Sequence, residues 1–254
     1  MTMDSLIIGA GKLGKRFYHY LKKNQKSVVT LSRSKKKWST HHIQYDLLGS
    51  SEILSKLIKF STINTVFIVL APTNRNPQDY RNIYIEGLEN ILLQLAEQYP
   101  EAHYTLLSST SVYGKQQCGL LDEKVQPEPD NFRGEILLEA EQNFKKLCNN
   151  FSIVRASGLY SKERTRFVMS LLAKEKAEDP KWLNMIHEDD LCQWLEAAAN
   201  NQWPLSIASD GEPLQRSRLH SLEIDMTNYR EFKSQYLHQL SLKHSSFADW
   251  LKCQ

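Results

Sequence analysis

The chain has 254 residues, enough to bury one full α/β core, and its 41% hydrophobic and 24% charged content is ordinary for a globular protein. A formal net charge of +3, with basic residues mostly scattered, is too mild to indicate nucleic acid, and no apolar run reaches the length of a membrane span. Four cysteines, Cys118, Cys148, Cys192 and Cys253, lie far apart without C-x-x-C spacing, so neither a metal nor a disulfide framework is expected. Glycines and a lysine break the opening "MTMDSLIIGAGKLG" too early for a signal peptide, and a cytoplasmic monomer or homodimer is the expectation. Its partner is expected to be a small molecule of unknown identity, with no nucleic acid and no membrane.

Along the chain, "SLIIGA", "SVVTL", "HIQYD", "NTVFIVLA", "HYTLLSS" and "FSIVRA" read as strands. They are rich in Val, Ile and Leu and mostly do not alternate, as parallel strands covered on both faces do not. Between them, Leu13, Phe17 and Leu21 recur at helical spacing, as do Leu54, Leu57 and Ile58. Ile91, Leu92 and Leu95 do the same within a segment from about Gln78 to Tyr99. Repeated β-α units predict an α/β fold with a doubly wound parallel sheet of Rossmann type. After Ala156 the pattern loosens into helices near Thr165 to Lys174 and Glu188 to Asn200, a short strand "LSIAS" and a polar helical tail. Residues 1–160 therefore read as the sheet domain and 161–254 as a small α-rich part folded onto it, whose strand near 205–209 is a candidate to rejoin the sheet.

"GAGKLG" follows the first strand and opens the first helix. Gly9 permits the tight turn, Gly11 lets backbone approach a pyrophosphate, and Gly14 allows close packing of helix on strand. Residues 1–160 are thus expected to bind a nicotinamide dinucleotide through Gly9, Gly11, Lys12, Leu13 and Gly14, with Leu70 and Ala71 at the end of "NTVFIVLA". An NAD site wants an acid at the end of the second strand, and "VVTLSRSKKK" has none. Arg33 can fork onto a 2′-phosphate while Ser32 or Ser34 donates a hydrogen bond, which favours NADP and leaves NAD possible. The alternative is a solvated basic loop. Asp46 is placed to meet the adenine amino group or to cap the next turn.

"GAGKLG", "LLSSTSVYG", "LLDEKVQPEPDN", "FSIVRASGLYSKER" and "NMIHEDDL" occur in the order and spacing of the extended short-chain dehydrogenase/reductase family, the NAD-dependent epimerase/dehydratases. "IASDGEPLQRSRL" resembles that family's late strand-turn segment, so the likeness covers about residues 4–220. The resemblance implies a Rossmann domain with a small substrate-binding part, acting on nucleotide sugars or related carbonyl and hydroxyl compounds. It also implies a Ser or Thr, a Tyr, a Lys and usually an Asn at the reacting carbons. Carried over by position, the Ser is Ser109, while the Tyr falls at Arg133, the Lys at Leu137 and the Asn at Tyr84. Guanidinium does not deprotonate in proteins, so the chain resembles an atypical branch that lacks the Tyr-x-x-x-Lys pair.

Tyr113 stands just past the fifth strand and is the second candidate for catalysis after Ser109, or an aromatic packed under the next loop. Tyr84, Arg133, Tyr160 and His187 are candidate substrate contacts. Against these, Tyr84 could simply pack, Arg133 could pair with Glu135 or Asp130, and His187 could cap a helix or sit in the core. Asp189 and Asp190 could serve a helix N-terminus or pair with Arg155. The expected function is an NADP-linked oxidoreductase or epimerase-type enzyme with a non-standard site, acting on a small or sugar-nucleotide-like substrate. The alternative is a catalytically inactive NADP(H)-binding sensor or regulatory protein.

Overall fold

The computed structural model describes residues 1–49, 53–173, 181–220 and 226–253. The six apolar runs become β1 (Thr2–Ile8), β2 (Val28–Ser32), β3 (His41–Gln44), β4 (Thr62–Ile68), β5 (His103–Ser109) and β6 (Phe151–Ala156). "LSIAS" supplies β7 (Leu205–Ala208), and all seven strands form one sheet in the order β7-β6-β5-β4-β1-β2-β3. Every neighbouring pair is parallel. The chain builds outward from β1 to β3, then crosses back to lay β4 on β1's other side, so the order reverses there. Register aligns Ile8 with Leu31 and Ile68, and Ser109 with Ala156, which brings the glycine turn, Ser32, Leu70 and Ser109 to one edge of the sheet.

Helices cover both faces, which is why the strands need no polar face. On one side α2 (Leu54–Leu57), α4 (Leu88–Gln98) and α5 (Phe132–Leu147) bury Leu57, Ile91, Leu95, Ile136, Leu137 and Phe144. On the other, α1 (Lys12–Lys23) and α7 (Glu188–Asn200) bury Phe17, Leu21, Leu191, Trp194 and Leu195. Each such side chain contributes about 1.5–3 kcal/mol through removal from water. A third cluster gathers Tyr160, Val168 and Leu171 of α6 (Thr165–Leu171), Leu183, Met185, and Phe247 and Trp250 of α8 (Phe247–Lys252).

Several elements differ from the sequence reading. Ile58 is 81% exposed, because α2 stops after a single turn. The helix expected from about Gln78 begins as α3 (Pro77–Arg81), capped by the Asn76 side chain, and passes through a π-helical turn at Asn82–Gly87 into α4. Inside that turn a side chain at Gly87 would meet Leu47 Cβ at 2.9 Å. The end of the helix expected near Lys174 lies outside the described residues. The tail is only partly helical: Arg230–Phe232 pairs with Gly119–Leu121, and α8 follows a short turn at Leu237–Gln239. Its apolar residues are isolated anchors and form no continuous helical stripe. Among the described residues no helix is long and apolar enough to cross a membrane.

Candidate functional site

The three glycines of the first turn are glycine for different reasons. Gly9 has φ +105°, and a Cβ there would lie 2.2 Å from Val69 O; a Cβ on Gly14 would lie 2.0 Å from Gly9 O. Gly11, at the N-cap of α1, has nothing within 4 Å of its would-be Cβ. Packing within the chain therefore explains Gly9 and Gly14, while Gly11 leaves open space beside the N-terminus of α1. Lys12 and Leu13 continue into α1, whose first turn holds no acid and presents free backbone N–H groups. These residues fit a dinucleotide pyrophosphate.

Beyond β2 the exposed Arg33 donates from Nη2 to Thr73 Oγ1 at 2.8 Å, reaching from β2 to the loop that follows half-buried Leu70 and exposed Ala71. Ser32 Oγ donates to Ser34 O at 3.0 Å, and Lys36 Nζ to Ser34 Oγ at 2.7 Å, so the loop is bonded to itself and cationic. Asp46 is exposed and its Oδ1 accepts from Leu48 N at 3.2 Å, which is the turn-capping role.

On the nicotinamide side the candidates separate. Ser109 Oγ accepts from Ser111 N at 3.2 Å, capping the turn after β5, and remains half-buried at the sheet edge. Tyr84 is 8% exposed and donates its hydroxyl to Leu70 O at 3.0 Å. It is filler at the end of β4, and burial pushes its phenol above the ordinary value. Leu137 is 5% exposed and belongs to the same core cluster as Tyr84 and Val112. Arg133 stands at the first turn of α5, whose cap is Asn131, with its guanidinium 5.5 Å from the Phe132 ring. It pairs with neither Glu135 nor Asp130; among the described residues it makes no ion pair, and its buried Nε has no hydrogen-bond partner.

Tyr113 takes the second of its two expected roles, an aromatic packed under the loop that follows β5. It is 2% exposed, packs on Phe232, accepts from Arg155 Nη1 at 2.8 Å and donates to Asp122 O at 3.3 Å. Burial raises its phenol, with the Arg155 guanidinium opposing, so it is no ready proton carrier. Arg155 in turn pairs with Glu141 at 2.6 Å, which also accepts from Ser108 Oγ at 2.6 Å. Sequence reasoning missed Glu141; the signal was an acid on the inward side of "ILLEAE".

Of the two roles expected for Asp189 and Asp190, the structure has the first: both lie in the first turn of α7, and neither pairs with Arg155. Asp189 pairs with Arg16, which also holds Glu163 at 2.5 Å, while Arg164 holds Glu188 at 2.6 Å. Asp190 accepts the backbone N–H groups of Lys243 and His244. Tyr160 and His187 are likewise packed inside, His187 in the capping and core role that was its alternative. Tyr160 is fully buried against Phe247 and Trp250, and His187 is 5% exposed with Nδ1 accepting from Asp189 N to cap α7. Burial and the neighbouring His244 hold His187 down to about 4. His187, Asp190 and His244 offer ligand atoms within 4.8 Å of one another, with the two ring centroids 3.6 Å apart and the ring planes tilted by 36°.

The family model described as RmlD substrate binding domain matches residues 3–192. Among solved structures, a candidate NAD-dependent epimerase/dehydratase from Methylobacillus flagellatus is similar with a TM-score of 0.78 at 22% identity, over 100% of this chain and 97% of its own. MoeE5 in complex with UDP-glucose and NAD is similar with a TM-score of 0.76 at 17% identity, over 98% of this chain and 99% of its own. The UDP-N-acetylglucosamine 4-epimerase from Bacillus cereus gives 0.73 at 15%, over 95% of this chain and 94% of its own. These likenesses show the fold. No curated protein sequence matches the chain.

Proposed function

We propose, since this chain belongs to the RmlD substrate binding domain family, that it binds NADP(H) without running the Tyr-Lys oxidoreduction expected of its relatives, and acts as a sensor or regulator of that cofactor. The observation that carries this reading is the closed proton relay. Leu137 is core, Tyr84 spends its hydroxyl on Leu70 O, and Tyr113 is locked to Arg155. A phenol–lysine pair has no place there. NADP is preferred over NAD because exposed Arg33, bonded through Nη2 to Thr73 Oγ1, still has further N–H donors for a 2′-phosphate at a strand end that has no acid. MoeE5, similar in fold, was solved with NAD, which supports a nicotinamide dinucleotide here.

NADP(H) should raise the melting temperature by mass action more than equal NAD(H) does, and Arg33→Ala should remove the difference. Equal shifts for both cofactors would sink the Arg33 assignment. Incubation of the NADPH-bound protein with a panel of aldehydes, ketones and nucleotide sugars should give no oxidation above background; clear turnover would overturn the sensor reading.

One observation favours the enzyme reading. Arg133 carries an unpaired guanidinium where a substrate carbonyl lies in relatives, and such a fork suits an anionic group. In that case the protein is an NADP-linked oxidoreductase or epimerase-type enzyme with Ser109 as its remaining polar contact. Arg133→Ala would then abolish any turnover found in the panel without changing NADPH affinity.

A further inference from the structure

A groove of about 1440 Å³ runs along the outer face of α1 from Lys12, beside the glycine turn, to Lys23, with α6 and the start of α7 as its far wall. Lys12, Lys15, His19 and Lys23 line it at spacings of three, four and four residues, which is one face of a helix. The carboxylates nearby are already engaged. Glu163 and Asp189 are held by Arg16, Glu188 by Arg164, and Asp190 by two backbone N–H groups. Lys12, Lys15, Lys23 and Arg166 take part in no ion pair among the described residues. The groove is therefore lined by surplus positive charge.

Helix stability explains only the end of that stripe, Lys23, which lies in the last turn of α1 where the dipole favours a cation. Cations in the first turn oppose the helix dipole, and like charges three or four residues apart repel. A bound pyrophosphate accounts for Lys12 alone. In the groove wall opposite the stripe, α6 exposes Phe167 at 37%, a large apolar side chain that water does not favour. We propose that this groove docks an acidic segment of a partner protein, with carboxylates on the α1 stripe and an apolar side chain on Phe167. At about 1.5 Å per residue, the twelve residues of α1 offer roughly 18 Å, three turns of a partner helix carrying one carboxylate per turn. A nucleic acid fits less well, because its phosphate backbone offers nothing to the exposed apolar ring of Phe167 in the groove wall.

The test uses a fluorescein-labelled helical peptide of about 14 residues with Glu at each turn and Leu beside it, titrated with the full chain by anisotropy at about 0.15 M salt. Lys15→Glu with Lys23→Glu should weaken binding by about tenfold or more, and Phe167→Ser by about threefold. Lys145→Glu with Lys146→Glu, the same charge change at the far end of α5, should leave affinity within about twofold. Equal loss in both charge variants would reduce the effect to bulk charge and overturn the proposal. So would no binding by the unaltered chain, or tighter binding of an oligothymidylate of equal charge. The readout does not depend on cofactor binding, so it stands apart from the NADP(H) reading.

Discussion

Gly9, Gly11 and Gly14 look alike in "GAGKLG", yet removing each has a different consequence. Gly11→Val projects into open space at the N-cap of α1, so the fold should persist while binding of both NADP(H) and NAD(H) is lost. Gly14→Ala forces a methyl group to 2.0 Å from Gly9 O, and should cost several kcal/mol whether or not cofactor is present. Urea melts with and without NADPH separate the two, and retained binding in Gly11→Val would mean the motif is only a turn. This much was legible because glycine spacing is local. What could not be read was where single side chains point. Tyr84, Tyr113, Tyr160 and His187 were candidates to meet a ligand, and here each is buried, the tyrosines on Leu70, Arg155 and Trp250 and the histidine against His244 while it caps α7. Apart from that local cap, these partners are set by tertiary packing, which one sequence does not display.

At the scale of elements, α5 decides between the two functional readings. Arg133 and Leu137 are one turn apart, but only Arg133 reaches solvent, since Leu137 belongs to the core under the helix. Arg133→Tyr should be tolerated, a planar ring replacing a guanidinium that rests by Phe132. Leu137→Lys should cost about 2–5 kcal/mol, because an ammonium would be desolvated without an acceptor. The double substitution should therefore melt far below the unaltered chain, and NADPH should not restore it. A stable double variant with tighter NADPH binding would show that the crevice is still open to a lysine, and would return the enzyme reading to first place. The sheet strands were legible for the converse reason: cover on both faces writes uninterrupted apolar runs into the sequence. The π-turn at Asn82–Gly87 and the C-terminal tail wrote no such period.

Across the whole molecule, the C-terminal segment closes over the end of the sheet through two buried ionisable groups with opposite pH behaviour. Asp210 accepts Phe247 N, and burial pushes its carboxyl up to about 7 despite its backbone donors. Its folded value lies above the ordinary one, so the native state holds the extra proton. That stability is complete at low pH and is lost as pH rises through about 7. His187, with the His244 ring 3.6 Å away, is held by burial at about 4, below its ordinary 6.5. The native state then binds fewer protons than the unfolded chain, and stability is lost as pH falls from 6.5 toward 4. Between about pH 4.5 and 6.5 the two slopes oppose, each approaching about 1.4 kcal/mol per pH unit, so they largely cancel. Asp210→Asn should uncover the histidine slope, giving a protein that weakens on acidification below 6.5. His187→Gln should uncover the aspartate slope, giving one that weakens as pH rises toward 7. Urea midpoints at pH 5 and pH 7 measure both, and slopes of the same sign in the two variants would show that these groups do not control the closure.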